Sequence, residues 1–568
     1  MNDNSPHFLL KKYWGYDQFR PLQEEIIQSV IDQKDTLALL TTGGGKSLCF
    51  QIPGLILKGI TLVVTPLIAL MKDQVQQLQS KGIAAAYINS DLSDDEIDAI
   101  LNQCMAGSIK FLYMAPERIH SEMFTMRVQS MRVALIAIDE AHCISEWGYD
   151  FRPSYLNISE LRTPFPQVPI LALTATATPD VVEDIVAKLQ MKHENRFKSS
   201  FKRDNLLFSI QTSDNKFHDL VEMFKNTKES AIIYVRNRRL THEISDYLNS
   251  FGISSDYYHA GLESEEKSKK EQQWKSEEIP IIVSTNAFGM GIDKPNVRKV
   301  VHYDLPETVE AYYQEAGRAG RDGKEADCIL LFNPDYDLEN AKKRFLDAHP
   351  TQAEYREIVK AMFNYFQIAV GEKPSEILEI DLNQLYNKLK INLLKIYNTF
   401  DYLDRSGVLL FKKNENNSIL RIIATPQSVE NYPLLVEISR TYGGIFSHNR
   451  QINELWLAQK MKLDVSKIKN ALKTFHYQRI VEYHPGHTNQ IKMLQNRDDA
   501  YILNTLWKPF GLHIEHKAQK LSKMLQYTQI NGCRMQYFTN YFGEKLTEKC
   551  GKCDNCNTGF WDKIKKQL

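Results

Sequence analysis

The chain has 568 residues, which is too long for a single hydrophobic core and predicts several domains. Its 70 Lys and Arg residues balance 70 Asp and Glu residues, so the net charge is zero and any surface that binds a polyanion must be a local patch. No apolar run approaches the ~18 residues that cross a bilayer, and eight cysteines are too few for a disulfide scaffold. We therefore expect a soluble cytoplasmic protein without a membrane partner.

Short apolar strands alternate with helical stretches over the first 200 residues. This alternation predicts an α/β domain with a doubly wound parallel sheet, which we place at residues 1–200. Such a sheet binds ligands at the carboxyl ends of its strands. The predicted strands are 36–40, 61–65, 109–113, 133–138 and 169–173.

The first of these strands runs into a glycine-rich stretch, Thr41-Thr42-Gly43-Gly44-Gly45-Lys46-Ser47, and a helix-like segment follows. Consecutive glycines let several N–H groups converge on one anion at a helix N-terminus, so this pattern predicts a phosphate-binding loop. Lys46 would reach the outer phosphates of ATP, and the Ser47 hydroxyl would bind Mg²⁺. Leu40 stands where the strict motif has its first glycine, and a plain glycine turn beside a chance lysine is the alternative.

An acidic pair, Asp139 and Glu140, follows the predicted strand 133–138. Hydrolysis of Mg·ATP needs one carboxylate near the metal and another that orients or deprotonates the attacking water. We assign the first role to Asp139 and the second to Glu140, with a solvated strand end as the alternative. The phosphate loop upstream favours the catalytic interpretation.

The alternation of strands and helices repeats over residues 201–345, which predicts a second parallel-sheet lobe without a second phosphate loop. Near its end, Arg318 and Arg321 lie three residues apart and share one side of a predicted helix. Arginines from a neighbouring domain neutralise charge on a transferred phosphoryl group, so we predict that both complete the ATP site. A surface ion-pair helix is the alternative.

Several motifs in one order make residues 8–335 resemble the helicase core of the RecQ family, in helicase superfamily 2. The stretch Tyr16-Asp17-Gln18-Phe19-Arg20-Pro21-Leu22-Gln23 resembles the family's adenine-reading motif. That resemblance implies that Gln23 bonds the base while Tyr16 and Arg20 pack against it. Three further stretches resemble motifs that contact the strand, couple it to ATP or close the lobes: Thr65-Pro66-Leu67, Thr174-Ala175-Thr176 and residues 284–293.

The stretch from Cys143 to Pro153, directly after the acidic pair, resembles the aromatic-rich loop by which RecQ enzymes couple single-stranded DNA to ATP hydrolysis. Exposed aromatic rings beside an arginine stack nucleobases without sequence preference, and aromatics that fill a core are the alternative. Tyr149 stands where the family usually carries His. The residues implied to couple DNA to hydrolysis are His142, Trp147, Phe151 and Arg152.

The alternation stops near residue 350, and two units follow in which helices precede a pair of short strands. Strands 408–411 and 419–423 are predicted to form one hairpin, and strands 480–483 and 490–494 a second. Helices followed by a hairpin are typical of winged-helix folds. We therefore predict tandem winged-helix-like modules that contact duplex DNA or serve as protein contacts or spacers, at residues 355–425 and 430–500.

Four cysteines near the C-terminus follow the pattern C-x16-C-x2-C-x2-C: Cys533, Cys550, Cys553 and Cys556. Four thiolates at this spacing hold Zn²⁺ tetrahedrally, and such a closed site is structural. Together with Tyr541-Phe542-Gly543-Glu544, the pattern resembles the RecQ zinc-binding subdomain, which we place at residues 511–560. That subdomain usually follows the helicase core closely, whereas here the winged-helix-like modules would lie between them. His513 and His516 are interpreted as ordinary polar residues.

The resemblance implies an ATP-dependent DNA helicase that moves 3′→5′ on single-stranded DNA and unwinds duplexes, in DNA repair, recombination or replication-fork maintenance. Its cofactors would be ATP, Mg²⁺ and a structural Zn²⁺, and its partners single-stranded DNA and branched or tailed duplexes. ATP would lie between the two lobes. Two other functions remain open: an RNA helicase, since the lobes mostly grip backbone and sugar, and a DNA translocase or regulator that separates no strands.

Overall fold

The structure, a computed structural model, describes residues 5–41, 43–66, 68–89, 92–148, 150–289, 294–413, 418–461, 463–486 and 489–557. The chain divides into two compact units, a larger one formed by Met1–Lys342 with Glu515–Leu568 and a smaller one formed by Lys343–Ile514. Within the described ranges, no helix is both long and apolar enough to cross a membrane.

The first lobe of the larger unit is built on a seven-stranded sheet. Its strands are β1 (Thr36–Leu39), β2 (Ile60–Val64), β3 (Ala85–Ile88), β4 (Phe111–Met114), β5 (Val133–Ile138), β6 (Ile170–Thr174) and β7 (Asn195–Lys198). They pair in parallel in the order β3-β4-β2-β5-β6-β1-β7. The helices of this lobe are α1 (Pro6–Leu9), α2 (Gln23–Ile31), α3 (Leu48–Ile56), α4 (Ile68–Ser80), α5 (Asp94–Met105), α6 (Glu122–Val128) and α7 (Pro179–Lys188). Shorter helical turns occur at Leu10–Trp14, Pro116–His120, Ala141–Ile144 and Pro153–Arg162.

The second lobe is built on a six-stranded parallel sheet. Its strands are β8 (Leu206–Thr212), β9 (Ala231–Tyr234), β10 (Ser255–Tyr258), β11 (Ile281–Ser284), β12 (Lys299–His302) and β13 (Ala326–Phe332). Their order is β10-β11-β9-β12-β13-β8. The helices are α8 (Lys216–Phe224), α9 (Arg238–Ser250), α10 (Ser264–Lys275), α11 (Val309–Ala316) and α12 (Pro334–Ala348).

The central strands of both sheets are apolar and buried along their whole length, as in β1, β2, β4, β6, β9 and β11. Helices cover both faces of a parallel sheet, so its strands consist of continuous apolar runs. Parallel strands end at one edge, and that edge therefore collects the loop after β1 and the acidic pair after β5. The predicted class of two tandem doubly wound sheets is confirmed.

The smaller unit contains two three-stranded antiparallel sheets. Its strands are β14 (Leu378–Ile380), β15 (Leu409–Lys412), β16 (Ser418–Ile422), β17 (Arg450–Ile452), β18 (Val481–His484) and β19 (Asn489–Met493). Its helices are α13 (Gln352–Tyr365), α14 (Leu382–Leu389), α15 (Leu393–Arg405), α16 (Pro426–Val429), α17 (Pro433–Thr441), α18 (Glu454–Met461) and α19 (Val465–Tyr477), with a helical turn at Tyr501–Thr505. The sheet orders are β14-β19-β15 and β17-β16-β18.

The strands of this unit pair across the sequence and not as the two predicted hairpins. Strand β15 pairs with β19, and β16 pairs with β18. The predicted pairing of neighbours in the sequence, β15 with β16 and β18 with β19, is therefore wrong. One winged-helix-like module, residues 418–484, is inserted between the two strands of the other, so the modules are nested and not tandem.

The burial of apolar residues explains why β15 pairs with β19 and β16 pairs with β18. The apolar residues of β15 and β19 share a core with Phe400 of α15, whereas those of β16 and β18 share a second core with Leu472 of α19. A hairpin of β15 and β16 would pull strands from two separate cores into one sheet. The strand register places one face of each strand against its own core. The observed pairing of β15 with β19 and of β16 with β18 therefore buries more apolar surface than the predicted hairpins would.

The chain returns to the larger unit along α20 (Trp507–Gln529). The cysteine-rich subdomain lies there and contains α21 (Arg534–Tyr541). It packs on β8, the edge strand of the second sheet, where the Ile210 amide donates to Asp554 Oδ2 at 2.9 Å. The Phe542 ring stacks on Phe201, which lies between the lobes, with ring centroids 4.3 Å apart. The subdomain therefore covers an open sheet edge and contacts the segment that joins the lobes.

Candidate nucleotide-binding and zinc sites

The glycine-rich loop connects the end of β1 to the start of α3. Gly43 and Gly45 have φ angles of 80° and 73°, in the left-handed region that glycine adopts without strain. A β-carbon at Gly45 would lie 2.4 Å from Nε2 of Gln23, so a larger residue there would displace the Gln23 amide. Thr42, which was predicted to bind the nucleotide, lies outside the described residues.

Gln23 and Arg20 hold this loop from the side of α2. The buried Gln23 amide donates to the carbonyls of Gly44 and Gly45, both at 3.1 Å, and its Oε1 accepts from the Arg20 amide at 2.9 Å. The Arg20 guanidinium donates to the Gly43 carbonyl. Gln23 therefore positions the phosphate loop, in addition to lying at the predicted adenine end of the site.

The acidic pair follows β5 and meets Lys46. The Lys46 ammonium lies 3.3 Å from Glu140 Oε1, and Nδ1 of His142 lies 3.3 Å from Glu140 Oε2. The same His142 nitrogen lies 2.9 Å from the Thr174 hydroxyl, which joins the acidic pair to the predicted coupling motif. Glu140 has a φ of 48°, an uncommon and strained backbone conformation for a residue with a β-carbon.

The two carboxylates differ in electrostatics. Burial, and then the neighbouring Glu140 carboxylate, raise the pKa of Asp139 to about 6. Burial would also raise the pKa of Glu140, but the Lys46 ammonium and His142 outweigh burial and hold that pKa below its usual range. Glu140 is therefore charged at neutral pH, whereas Asp139 gains most from a cation beside it.

A cavity of about 500 Å³ collects these groups with residues of the second lobe. This volume lies within the range of ordinary ligand pockets. The residues of the predicted ATP site that line it are Tyr16, Arg20, Gln23, Gly43, Gly45, Lys46, Ser47, Asp139, Glu140, Arg318 and Arg321. The lysine of one lobe and the arginines of the other thus face a single cavity.

The two arginines are held close to glycines. The buried Arg318 guanidinium donates to the Gly289 carbonyl. A β-carbon at Gly43 would lie 3.2 Å from Cγ of Arg321, so Arg321 packs directly over the phosphate loop. Residues 290–293 of the predicted lobe-closing motif lie outside the described part of the chain.

The cavity offers a hard oxygen donor set for Mg²⁺, because the Ser47 hydroxyl and the Asp139 carboxylate both line it. The Gln74 amide donates to Ser47 Oγ at 3.1 Å, and Tyr113 Oη donates to Gln74 Oε1 at 2.9 Å. Gln74 was not among the predicted site residues, because a glutamine within a helix carries no motif signal. It orients the hydroxyl predicted to bind the metal.

The aromatic-rich loop places its predicted residues in different surroundings. Trp147 is 44% exposed, and its indole lies against the imidazole of His516. The Lys188 ammonium lies 5.7 Å from the centre of the Phe151 ring. The Arg152 guanidinium donates to the Pro66 carbonyl at 2.8 Å, which ties the loop to the predicted strand-contacting motif. Leu67 of that motif and Tyr149 lie outside the described residues.

A second cavity, of about 320 Å³, connects this loop to the turn that carries Arg318. The prediction that Arg318 and Arg321 lie on a helix is wrong, because α11 ends at Ala316 and both arginines lie in the turn that follows. Arg152 of the loop and Arg318 of the second lobe both line it, together with Gln314. Since Arg318 and Gln314 also line the first cavity, one pair of side chains faces both. A displacement of the aromatic-rich loop can therefore affect the first cavity through these two side chains.

The four predicted zinc ligands converge: the sulfur atoms of Cys533, Cys550, Cys553 and Cys556 all lie within 4.8 Å of one another. Backbone amides point at them, since the Cys550 amide donates to Cys533 Sγ at 3.2 Å and the Arg534 amide to Cys553 Sγ at 3.4 Å. Amide donors of this kind stabilise thiolates, the form that binds metal. The donor set fits a closed tetrahedral Zn²⁺ site.

Four family models match separate parts of the chain. The DEAD/DEAH box helicase model matches residues 20–185, and the helicase conserved C-terminal domain model matches residues 215–323. The RecQ zinc-binding model matches residues 493–557. The RecQ helicase winged-helix domain of Bacteroidota matches residues 423–485, which is nearly the range of the inner nested module.

Several curated proteins resemble part of the chain, among them two from one bacterium. An ATP-dependent DNA helicase RecQ from Bacillus subtilis (strain 168) is 45% identical over 329 residues, which are 57% of this chain and 56% of that protein. A probable ATP-dependent DNA helicase RecS from the same organism is 42% identical over 336 residues, which are 58% of this chain and 67% of that protein. The chain spans about half the length of the first relatives it matches.

A solved structure of the DUF1998 helicase MrfA bound to DNA and AMPPNP has a TM-score of 0.51 to the chain at 18% identity. The match covers 60% of this chain and 52% of that one. At this level of identity the likeness concerns the fold alone.

Proposed function

The chain belongs to the RecQ family of ATP-dependent DNA helicases, and we propose that it couples ATP hydrolysis to 3′→5′ movement along single-stranded DNA and to the unwinding of tailed or branched duplexes. The RecQ resemblance drawn from its motifs is confirmed by the family models and by the relatives at 42% and 45% identity. We also propose a cytoplasmic location and a role in DNA repair, recombination or replication-fork maintenance.

One observation carries the proposal: Lys46, Glu140, Arg318 and Arg321 line a single cavity although they come from both lobes. Phosphoryl transfer depends on positioning and on neutralising charge that spreads over the transferred group. A cation from each lobe on the same phosphates makes hydrolysis sensitive to the distance between the lobes. Cycles of lobe closure and opening then move the bound strand.

Each residue has a distinct task in this proposal. Lys46 and the loop amides hold the phosphates, and Gln23 and Tyr16 hold the base. Glu140, kept charged by Lys46 and His142, orients the attacking water. Ser47 and Asp139 would hold Mg²⁺, which would supply positive charge to neutralise the phosphates. Arg318 and Arg321 stabilise the charge that develops on the transferred group.

Single-stranded DNA acts on this site through the aromatic-rich loop. Trp147 and Phe151 stack bases. Arg152 lines the same cavity as Arg318, so a movement of the loop changes the surroundings of Arg318. The Zn²⁺ held by the four cysteines is structural: it fixes the subdomain that packs on β8 and on the segment between the lobes.

The test combines ATPase and strand separation. Wild-type protein should hydrolyse ATP faster with single-stranded DNA and displace a strand from a duplex with a 3′ tail, but not from one with a 5′ tail or an RNA duplex. Glu140→Gln should lose turnover by about 10²- to 10⁴-fold while DNA binding persists.

Strong DNA-stimulated ATPase without unwinding of any tailed duplex, fork or four-way junction would instead indicate a translocase. Full ATP turnover in Glu140→Gln would contradict the assigned mechanism. Arg196→Ala is a suitable control, because this residue forms surface ion pairs with Glu183 and Glu194 outside both cavities.

A further inference from the structure

The contact between Trp147 and His516 joins two parts of the larger unit that are far apart in the sequence. Their ring centroids lie 3.7 Å apart, with 31° between the ring planes. Trp147 belongs to the aromatic-rich loop, and His516 to α20, which leads into the cysteine-rich subdomain. The imidazole covers part of the indole, and a nucleobase that stacks on that part must displace it.

The surroundings of this contact suit a nucleotide. A groove of about 550 Å³ is lined by Trp147 and His516 with Lys523 and Tyr537 of the cysteine-rich subdomain. Lys523 is exposed there. Aromatic rings that stack bases beside cations that contact phosphates are the usual features of a surface that binds single strands.

The imidazole of His516 can stack on Trp147 in the place of a nucleobase. Burial lowers the pKa of His516 below its ordinary value, so the ring is neutral at neutral pH. A neutral planar heterocycle stacks on an indole much as a nucleobase does. The sequence analysis treated this histidine as an ordinary polar residue, because no motif includes it.

We propose that His516 occupies the base-stacking face of Trp147 when DNA is absent, and that a nucleobase of single-stranded DNA takes its place. His516 is then a positioning residue that acts through Trp147. It sets the DNA concentration at which the aromatic-rich loop responds, and it couples the loop to the cysteine-rich subdomain. The identity of the ligand as single-stranded DNA rests on the proposed function.

The test measures the affinity of the full-length protein for a fluorescent single-stranded oligonucleotide by anisotropy, without ATP. His516→Ala should bind about two- to tenfold more tightly than wild type, because one competing aromatic pair is lost. His516→Gln, which lacks the ring but keeps a polar side chain, should behave like His516→Ala. His516→Phe keeps a stacking ring and should bind like wild type.

Two controls separate competition from a general effect on the surface. Ser522→Ala, at an exposed position of the same helix that does not line the groove, should leave the affinity unchanged. In a Trp147→Ala background, His516→Ala should have no effect, because the face for which the two rings compete is absent.

Weaker or unchanged DNA binding by both His516→Ala and His516→Gln would overturn the proposal, as would equal tightening in the Trp147→Ala background. This failure differs from a failure of the proposed function, which would show as a wild-type ATPase that does not respond to single-stranded DNA. If the ATPase responds and the His516 variants bind like wild type, only the competition is wrong.

Discussion

The two helicase lobes and the smaller unit differ in how far neighbours in the sequence become neighbours in space. In the lobes, each loop that follows a central strand reaches one common edge, so Lys46 and Glu140 meet although 94 residues separate them. In the smaller unit, β15 and β16 are neighbours in the sequence but belong to different sheets, and β15 pairs with β19 across an inserted module. A parallel sheet repeats one connection, whereas a nested module depends on which core each strand faces.

Removal of a positive charge from the cavity is the sharpest test of whether both lobes contribute to ATP hydrolysis. Arg321→Ala should lower DNA-stimulated ATP turnover by about 10³-fold or more, because the second lobe would no longer neutralise the transferred phosphoryl group. Steady-state ATPase measures the loss, and DNA anisotropy should give a normal affinity. Arg196→Ala is again the control, and similar turnover in both variants would remove Arg321 from the mechanism.

Loss of a core ring should affect only the smaller unit. Phe411 of β15 is buried beside Phe400, with ring centroids 5.2 Å apart. Phe411→Ala should lower the free energy of unfolding of this unit by about 3 kcal/mol, as measured by urea denaturation. Leu410→Ala is the matched control, because Leu410, which precedes Phe411 in β15, is 51% exposed. Equal losses in the two variants would contradict the assignment of inner and outer faces.

Removal of the Trp147 indole addresses the link between DNA and the lobes. Trp147→Ala should weaken single-strand binding by about 1–3 kcal/mol, the contribution of one stacked base, and should abolish stimulation of the ATPase by DNA. Phe251→Ala removes another exposed ring, 57% accessible, and should do neither. Normal DNA stimulation in Trp147→Ala would place the sensor elsewhere.

A crosslink should detect the crosswise pairing with little effect on activity. Leu410 and Lys492 lie directly opposite each other on β15 and β19. The double variant Leu410→Cys/Lys492→Cys should therefore form a disulfide on mild oxidation, which a peptide map would identify. The pair Leu410→Cys/Arg421→Cys would crosslink in a β15–β16 hairpin and should stay reduced. ATP turnover should remain within about twofold of wild type, because neither residue lines the cavity.

Much of the fold was accessible from local patterns. The buried strands β1, β2, β4, β5 and β6 were predicted within one or two residues, because each is an apolar run between turn signals. The strands β3, β7, β8 and β10 were missed. Strand β7, for example, reads Asn-Arg-Phe-Lys with alternating exposure and carries no apolar run. Such edge strands are recognised only when their neighbour in the sheet is known.

The sequence by itself determined the two α/β lobes, the residues predicted to bind ATP that line one cavity and the four-cysteine cluster. Those features are encoded in short stretches whose chemistry depends on local spacing and on the common edge of a parallel sheet. Only the tertiary structure decided the partners of β15 and β16, the hydrogen bond from Gln74 to Ser47 and the stacking of His516 on Trp147. Each of these joins distant residues, and their contact follows from which apolar surfaces are buried together, a property of the whole packed chain and not of any one segment.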